Sequence, residues 1–157
     1  MSAIVLRHVL VPTDFSACST VALRYGLALA DRFGAVLHLL HAAPNPFDQP
    51  WAAEVYATPP SDVERLVREQ TATQLAALVE STGRAADQVQ VVATSGPPFL
   101  AILRYAREAG IDLIVMGTHG RGAVAHLLIG SVAENVVRKA PCPVLTVRHP
   151  EHEFVMP

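Results

Sequence analysis

Five short apolar runs recur along the chain, HVLVPT from His8, AVLHLLHAA from Ala35, QVQVVAT from Gln88, DLIVM from Asp112 and PVLTVR from Pro143. Consecutive apolar residues with little alternation suit strands buried on both faces, the pattern of a parallel sheet covered by helices. The segments between them read as helices. Ser19 opens a pattern with Ala22, Leu23, Leu27 and Ala30 on one face. Ser61 and Glu64 form a capping box ahead of Val63, Leu66, Val67, Leu75, Leu78 and Val79, in a helix expected to run to Thr82. Pro97 or Pro98 starts a third helix through Arg107, and residues Ser131 to Lys139 make a fourth. Strands alternating with helices build βαβ units, so the expected class is α/β, with a parallel sheet and helices on both its faces.

The chain has 157 residues, the size of one domain, so a single domain over 1–157 is expected, with an irregular loop at 44–60 and a tail at 149–157. The loop stretch from Trp51 to Tyr56 would either close over a ligand as a lid or cover the core edge. With 51% hydrophobic and 17% charged residues, the composition argues against disorder. The net charge is −2 and the basic residues are scattered among acids, which disfavours nucleic acid as a partner. Cys18 and Cys142 lie far apart and match no zinc spacing, as for ordinary thiols in a reducing compartment. The N-terminal stretch lacks signal-peptide features and nowhere do 18 apolar residues run together, so the expectation is a cytoplasmic protein with no membrane partner.

A doubly wound sheet binds ligands at the carboxyl ends of its strands, where the strand order reverses. Two strand ends stand out: Asp14 follows the first, and Gly117 opens MGTHGRGAVAHLLIGS, residues Met116 to Ser131, after the fourth. Glycine lets backbone N–H groups approach an anion closely, and a helix beginning at Ser131 adds unpaired N–H groups and a positive dipole end, together a phosphate cradle. His119 and Arg121 would add donors beside it. Local folding explains the same residues in other terms, since Ser131 with Glu134 spells a capping box and Gly117 would turn the chain out of its strand. Asp14 is equally open: its carboxylate would bond neighbouring backbone N–H groups or meet a ligand.

Competing motifs are absent by spelling. The one lysine, Lys139, ends a helix, which excludes the GxxxxGK[ST] loop, and no glycine fingerprint for dinucleotides follows the first strand. No HExxH occurs, and His38 and His41 face opposite sides of their strand. No GxSxG elbow or committed catalytic base is found, so no catalytic residue is assigned.

The glycine segment resembles the phosphate signature of the ATP-binding branch of the universal stress proteins. That signature is Gly, two residues, Gly, nine residues, then Gly-Ser or Gly-Thr, matched here at Gly117, Gly120, Gly130 and Ser131. VPTDFS at Val11 to Ser16, LHLLHAA, the Ser-Gly-Pro-Pro turn at Ser95 to Pro98, IDLIVMGTHG and GSVAENVVRKAPCPVLTVR extend the resemblance over nearly all of the chain except 44–60 and the tail. The resemblance implies a single open five-stranded sheet of order 3-2-1-4-5, Rossmann-like and similar to the adenine nucleotide alpha hydrolases. It further implies ATP across the ends of strands one and four, with Mg²⁺ or Mn²⁺ bridging phosphates and no protein metal ligand. Pro12, Thr13 and Asp14 would line the adenosine side, Ala42 would meet adenine through its backbone, and Met116 with Gly117 would border the ribose. Gly120, Arg121, Gly130, Ser131 and Val132 would surround the phosphates.

On that strand order residues 143–148 form an apolar sheet edge, which invites a homodimer, as the resemblance also implies. The leading expectation is thus a dimeric, ATP-binding stress-response or signalling module whose nucleotide state is read by a protein partner. The alternatives are a slow ATP hydrolase or phosphoryl or adenylyl transferase, and a dimeric scaffold without nucleotide.

Overall fold

The most apolar run, Val9-Leu10-Val11, is wholly buried, which places its strand at the centre of a sheet with both faces covered. The computed structural model of the chain describes residues 4–43, 60–85, 88–119 and 129–148. Strands β1 (His8–Pro12), β2 (Val36–Ala43), β3 (Val89–Ser95), β4 (Leu113–Gly117) and β5 (Val144–Val147) alternate with helices α1 (Ala17–Phe33), α2 (Pro60–Ser81), α3 (Pro98–Glu108) and α4 (Ser131–Lys139). All pairs are parallel, and the order is β3-β2-β1-β4-β5, as the resemblance implied. Since the chain winds outward from β1 through β2 to β3 and then crosses to β4, the order reverses between β1 and β4.

Strand periodicity sorts the core into two layers. Val9, Val11, Leu37, Leu39 and Val115 point to one face and pack against Ala22, Leu23 and Ala30 of α1 and Leu75 and Val79 of α2. Leu10, Leu40, Ile114 and Met116 point to the other, against Ile102 and Ala106 of α3 and Ala133 and Val136 of α4. Burying one such aliphatic side chain contributes about 1.5–3 kcal/mol, so the six fully covered residues of β1 and β2 contribute on the order of 10 kcal/mol of gross burial. The strand ends that carry the candidate site therefore stand on a rigid base.

Two helix starts and one cap differ from the sequence reading in informative ways. Helix α1 begins at Ala17 rather than Ser19, because Ser16 is its cap and accepts the Ser19 N–H at 3.2 Å. Its end is closed by Gly34 at φ +64°, a left-handed position that glycine adopts without strain. Ser61 and Ser131 are not cap residues: α2 already includes Pro60, and α4 is capped by Gly130 with no side-chain hydrogen bond. At Ser131 spelling alone puts the cap one residue away from where the backbone turns.

One glycine explains how closely α1 sits on the sheet. A Cβ on Gly26 would lie 2.4 Å from Cγ2 of Val11, a stiff, fully buried side chain. Mid-helix glycine costs about 1 kcal/mol against alanine, so its presence here reflects contact rather than helix preference. Gly26→Ala is expected to lower stability by about 1–3 kcal/mol through overpacking, despite the better helix former, as read by urea denaturation.

Polar groups enter the second layer at the amino end of the sheet. Nε2 of buried His38 lies 3.0 Å from Nδ1 of His8, and its Nδ1 lies 2.8 Å from the Tyr105 hydroxyl on α3. A neutral His38 satisfies both contacts in either tautomer. Burial, with a smaller contribution from neighbouring His8, holds the His38 pKa below its usual 6.5, and burial raises that of Tyr105. Nearby, the backbone N–H groups of Arg7 and His8 donate to Oδ2 of Asp112 at 2.7 and 2.9 Å, which lowers its pKa. Because the folded chain binds the His38 proton more weakly than the unfolded chain, stability falls as pH drops through about 6.5 and levels off below the folded value. In His38→Leu that part of the slope should vanish from chemical denaturation curves taken between pH 8 and 5, roughly one unit beyond the imidazole range on either side.

Candidate functional site

At the carboxyl end of β1 the chain must leave the sheet and enter α1 within a few residues, and side chains organise that corner. The Thr13 N–H donates to the Leu40 carbonyl at 2.8 Å, the last bond joining β1 to β2. Its hydroxyl accepts the Phe15 N–H at 3.0 Å and lies 3.2 Å from the Ser19 hydroxyl. Oδ1 of Asp14 accepts the Ser16 N–H at 3.0 Å, so the carboxylate is part of the turn, the first of the two roles the sequence left open. Phe15 adopts φ +63°, a left-handed conformation that costs a residue with a side chain about 1–3 kcal/mol. Its ring packs on His41 with centroids 4.5 Å apart, and His41 Nδ1 lies 2.7 Å from the Thr13 carbonyl.

The second corner leaves β4. The Thr118 N–H donates to Val147 of β5 at 2.9 Å, and the buried Thr118 hydroxyl lies 2.9 Å from Nδ1 of His119. The Thr118 carbonyl then accepts the Gly130 N–H at 2.7 Å, tying the exit of β4 directly to the start of α4. Gly130 is extended (φ −70°, ψ 155°), and its carbonyl accepts the Glu134 N–H at 2.9 Å, the first bond of the helix. The N–H groups of Ser131, Val132 and Ala133 therefore precede the helical hydrogen-bond ladder and head the positive end of the α4 dipole. The Gly130 N–H is committed to Thr118 and is not among these donors.

Of the residues singled out in the sequence, Pro12, Thr13 and Asp14 close β1, Ala42 lies near the end of β2 beside them, and Met116 and Gly117 close β4. Gly130, Ser131 and Val132 stand at the entrance of α4, against the β4 exit. Gly120 and Arg121 lie outside the described residues, as do the loop 44–59 and the tail. Met116 and Ala42 turn their side chains into the second core layer, so each can present mainly backbone to a ligand.

Gly117 has a packing reason for lacking a side chain. A Cβ there would sit 2.7 Å from Sγ of Cys18 and 3.1 Å from its carbonyl carbon, so the first turn of α1 rests directly on the end of β4. The Cys18 thiol donates to the Val147 carbonyl at 3.4 Å, which fixes the same contact to β5. The sequence signalled none of Phe15, His41, Cys18 or Thr118 as parts of the site. The alternation of β2 gave the face of His41 but not its partner, and no residue type announces a left-handed phenylalanine.

The sequence model of the universal stress protein family matches residues 6–148. The chain belongs to the universal stress protein family. Universal stress protein YxiE of Bacillus subtilis is 30% identical over 147 residues, covering 90% of this chain and 99% of its own. The structure of universal stress protein UspA from Lactobacillus plantarum superposes with a TM-score of 0.74 at 26% identity, covering 93% of this chain and all of its own. A crystal structure of a universal stress protein in complex with cAMP superposes with a TM-score of 0.60 at 26% identity, covering 92% and 98%. Among the described residues of this universal stress protein, no helix is long and apolar enough to cross a membrane, and no three His, Cys, Asp or Glu residues stand as a metal-binding group.

The contact beneath Gly117 generates a direct expectation. Gly117→Ala forces its methyl against a helix backbone as well as a thiol, so stability should fall by about 1–3 kcal/mol in urea denaturation, and shortening Cys18 to Ala should recover only part of it.

Proposed function

We propose that this universal stress protein binds ATP in the crevice between the ends of β1 and β4. The observation that carries the reading is the 2.7 Å bond from the Gly130 N–H to the Thr118 carbonyl. It brings a helix start, whose first three N–H groups have no partner among the described residues, to the point where the strand order reverses, the location at which open α/β sheets hold ligands. In this reading Ser131 and Val132, with Gly120, Arg121 and Gly130, surround the phosphates. Met116 and Gly117 border the ribose, Pro12, Thr13 and Asp14 line the adenosine side, and Ala42 meets adenine through its backbone. The relative crystallised with cAMP supports an adenine nucleotide as the ligand class.

The donor set at the crevice is mostly backbone amide and hydroxyl, with Asp14 as one carboxylate already bonded to Ser16. That set suits phosphate oxygens better than a bare cation, so Mg²⁺ or Mn²⁺ would be held through the phosphates and water. The nucleotide serves a stress-response or signalling module, whose protein partner reads the bound state. β5 is a sheet-edge strand with Leu145 exposed, and Val137 of α4 is exposed too, features that support a homodimer through residues 143–148. The free thiols Cys18 and Cys142 suit a cytoplasmic protein, and the same reading takes 1–157 as one domain.

Ser131→Pro provides a clean test. Ser131 is the first helical residue and Gly130 before it is extended, so proline fits both positions while deleting one backbone N–H. Thermal stability should change little, whereas ATP affinity measured by calorimetry should fall about tenfold, the worth of one charge-assisted hydrogen bond. Unchanged ATP affinity in the folded variant would remove α4 from the phosphate site.

A further inference from the structure

We propose that His41 is a positioning residue for the nucleoside half of the site: its imidazole takes over the Thr13 carbonyl and so keeps the backbone edge of Ala42 open to an adenine base. The inference rests on the nucleotide reading above and assigns a specificity role within it.

In a parallel pair, alternate residues of a strand direct both N–H and carbonyl to the same neighbour. Along β2, Val36 donates to Arg7 and Leu40 accepts from Thr13, so the even-numbered residues face β1, while the Ala43 carbonyl accepts the Gly96 N–H on the side of β3. Ala42 therefore turns its N–H and carbonyl toward β1. Continuing the ladder by one step would join the Ala42 N–H to the Thr13 carbonyl. That carbonyl instead lies 2.7 Å from Nδ1 of His41. A carbonyl only accepts, so the proton sits on Nδ1.

The consequence is geometric. β1 ends at Pro12, the Thr13 carbonyl stays satisfied, and the chain swings away through Asp14 and left-handed Phe15 instead of sealing the gap beside Ala42. The tilted His41 ring supports the Phe15 ring that the swing requires, 4.5 Å between centroids at 41°. Among the described residues no backbone bond from Thr13 reaches Ala42, which leaves one donor and one acceptor of a single residue directed past the end of β1. Adenine offers a matching acceptor and donor on its Watson–Crick edge, whereas guanine offers a donor and an acceptor in the reverse places. The joint of Thr13 to His41 therefore favours adenine over guanine without His41 touching the base.

The test separates the donor from the ring. His41→Phe keeps an aromatic ring against Phe15 and loses the N–H, and His41→Asn keeps an amide N–H near the place of Nδ1 and loses the ring. ATP and GTP affinities, each with magnesium, are measured by calorimetry on the wild-type chain and both variants, with thermal melts to establish folding. The wild-type chain should prefer ATP by about tenfold or more. His41→Phe should lose most of that preference through weaker ATP binding, with GTP changed less than about twofold, and His41→Asn should retain the preference to within about threefold. An undiminished ATP preference in folded His41→Phe overturns the assignment, as does an equal loss for both nucleotides, a wild-type chain that binds both alike, or Asn behaving no better than Phe. If the Phe variant does not fold, the folded Asn variant decides alone, its kept preference supporting the role and its lost preference overturning it. A wild-type chain that binds neither nucleotide instead removes the nucleotide reading itself, which a failure confined to the variants does not.

Discussion

The seating of α1 on the central strands is the constraint on which the rest of this structure depends. Two positions along one helix surface permit it: Gly26 lies over Val11 of β1, and Cys18 lies against Gly117 of β4. Interiors are packed like crystals, so a single methyl at either contact has nowhere to go without moving the helix or the strand. Because α1 spans β1 and β4, it clamps the two strands between which the order reverses. A crevice at a switch point is only as well defined as the two strands that bound it, and here both are held by one helix.

On that base the site is assembled from backbone rather than from side chains. Hydroxyls and a carboxylate shape the β1 corner, and a hydrogen bond from the Gly130 N–H to the Thr118 carbonyl joins the β4 exit to α4. Among the described residues the crevice gathers turn donors and helix N–H groups more than charges, an arrangement that suits a polyanion carrying its own cation. Strain is present at one point, the left-handed Phe15, and its neighbours over-determine it: Thr13, His41 and the core layer beneath α1 all hold it. The opposite end of the sheet is organised differently, through the contacts from His8 to His38 to Tyr105 that link two strands to α3. Buried His38 and the candidate crevice thereby lie toward opposite ends of the same strands.

Much of this was legible in the sequence, for physical reasons that differ by element. The strands announced themselves because burial on both faces demands unbroken apolar runs, and their observed bounds fall within one residue of the expected ones at every end. The helices were recognised by period, and the fourth begins at Ser131 as expected, but the first two start earlier than Ser19 and Ser61 and the cap of the fourth is Gly130 rather than Ser131, because several nearby residues can spell a cap and only backbone dihedrals select one. Asp14 and the Gly130-Ser131 pair were identified by type and spacing. The reason Gly117 lacks a side chain was not, since it lies in a cysteine 99 positions earlier in the chain.

The sequence by itself determined the α/β alternation and the parallel sheet, and marked Gly117, Gly130 and Ser131 as candidates at two strand and helix ends, because local periodicity and glycine placement are properties of neighbouring residues. Only the tertiary structure decided that the β4 exit and the α4 entrance meet through one hydrogen bond, that α1 needs two bare positions to reach the sheet, and that His41 caps the end of β1. Those outcomes depend on distances between segments far apart in the chain, and such distances are fixed by packing, which no local pattern encodes.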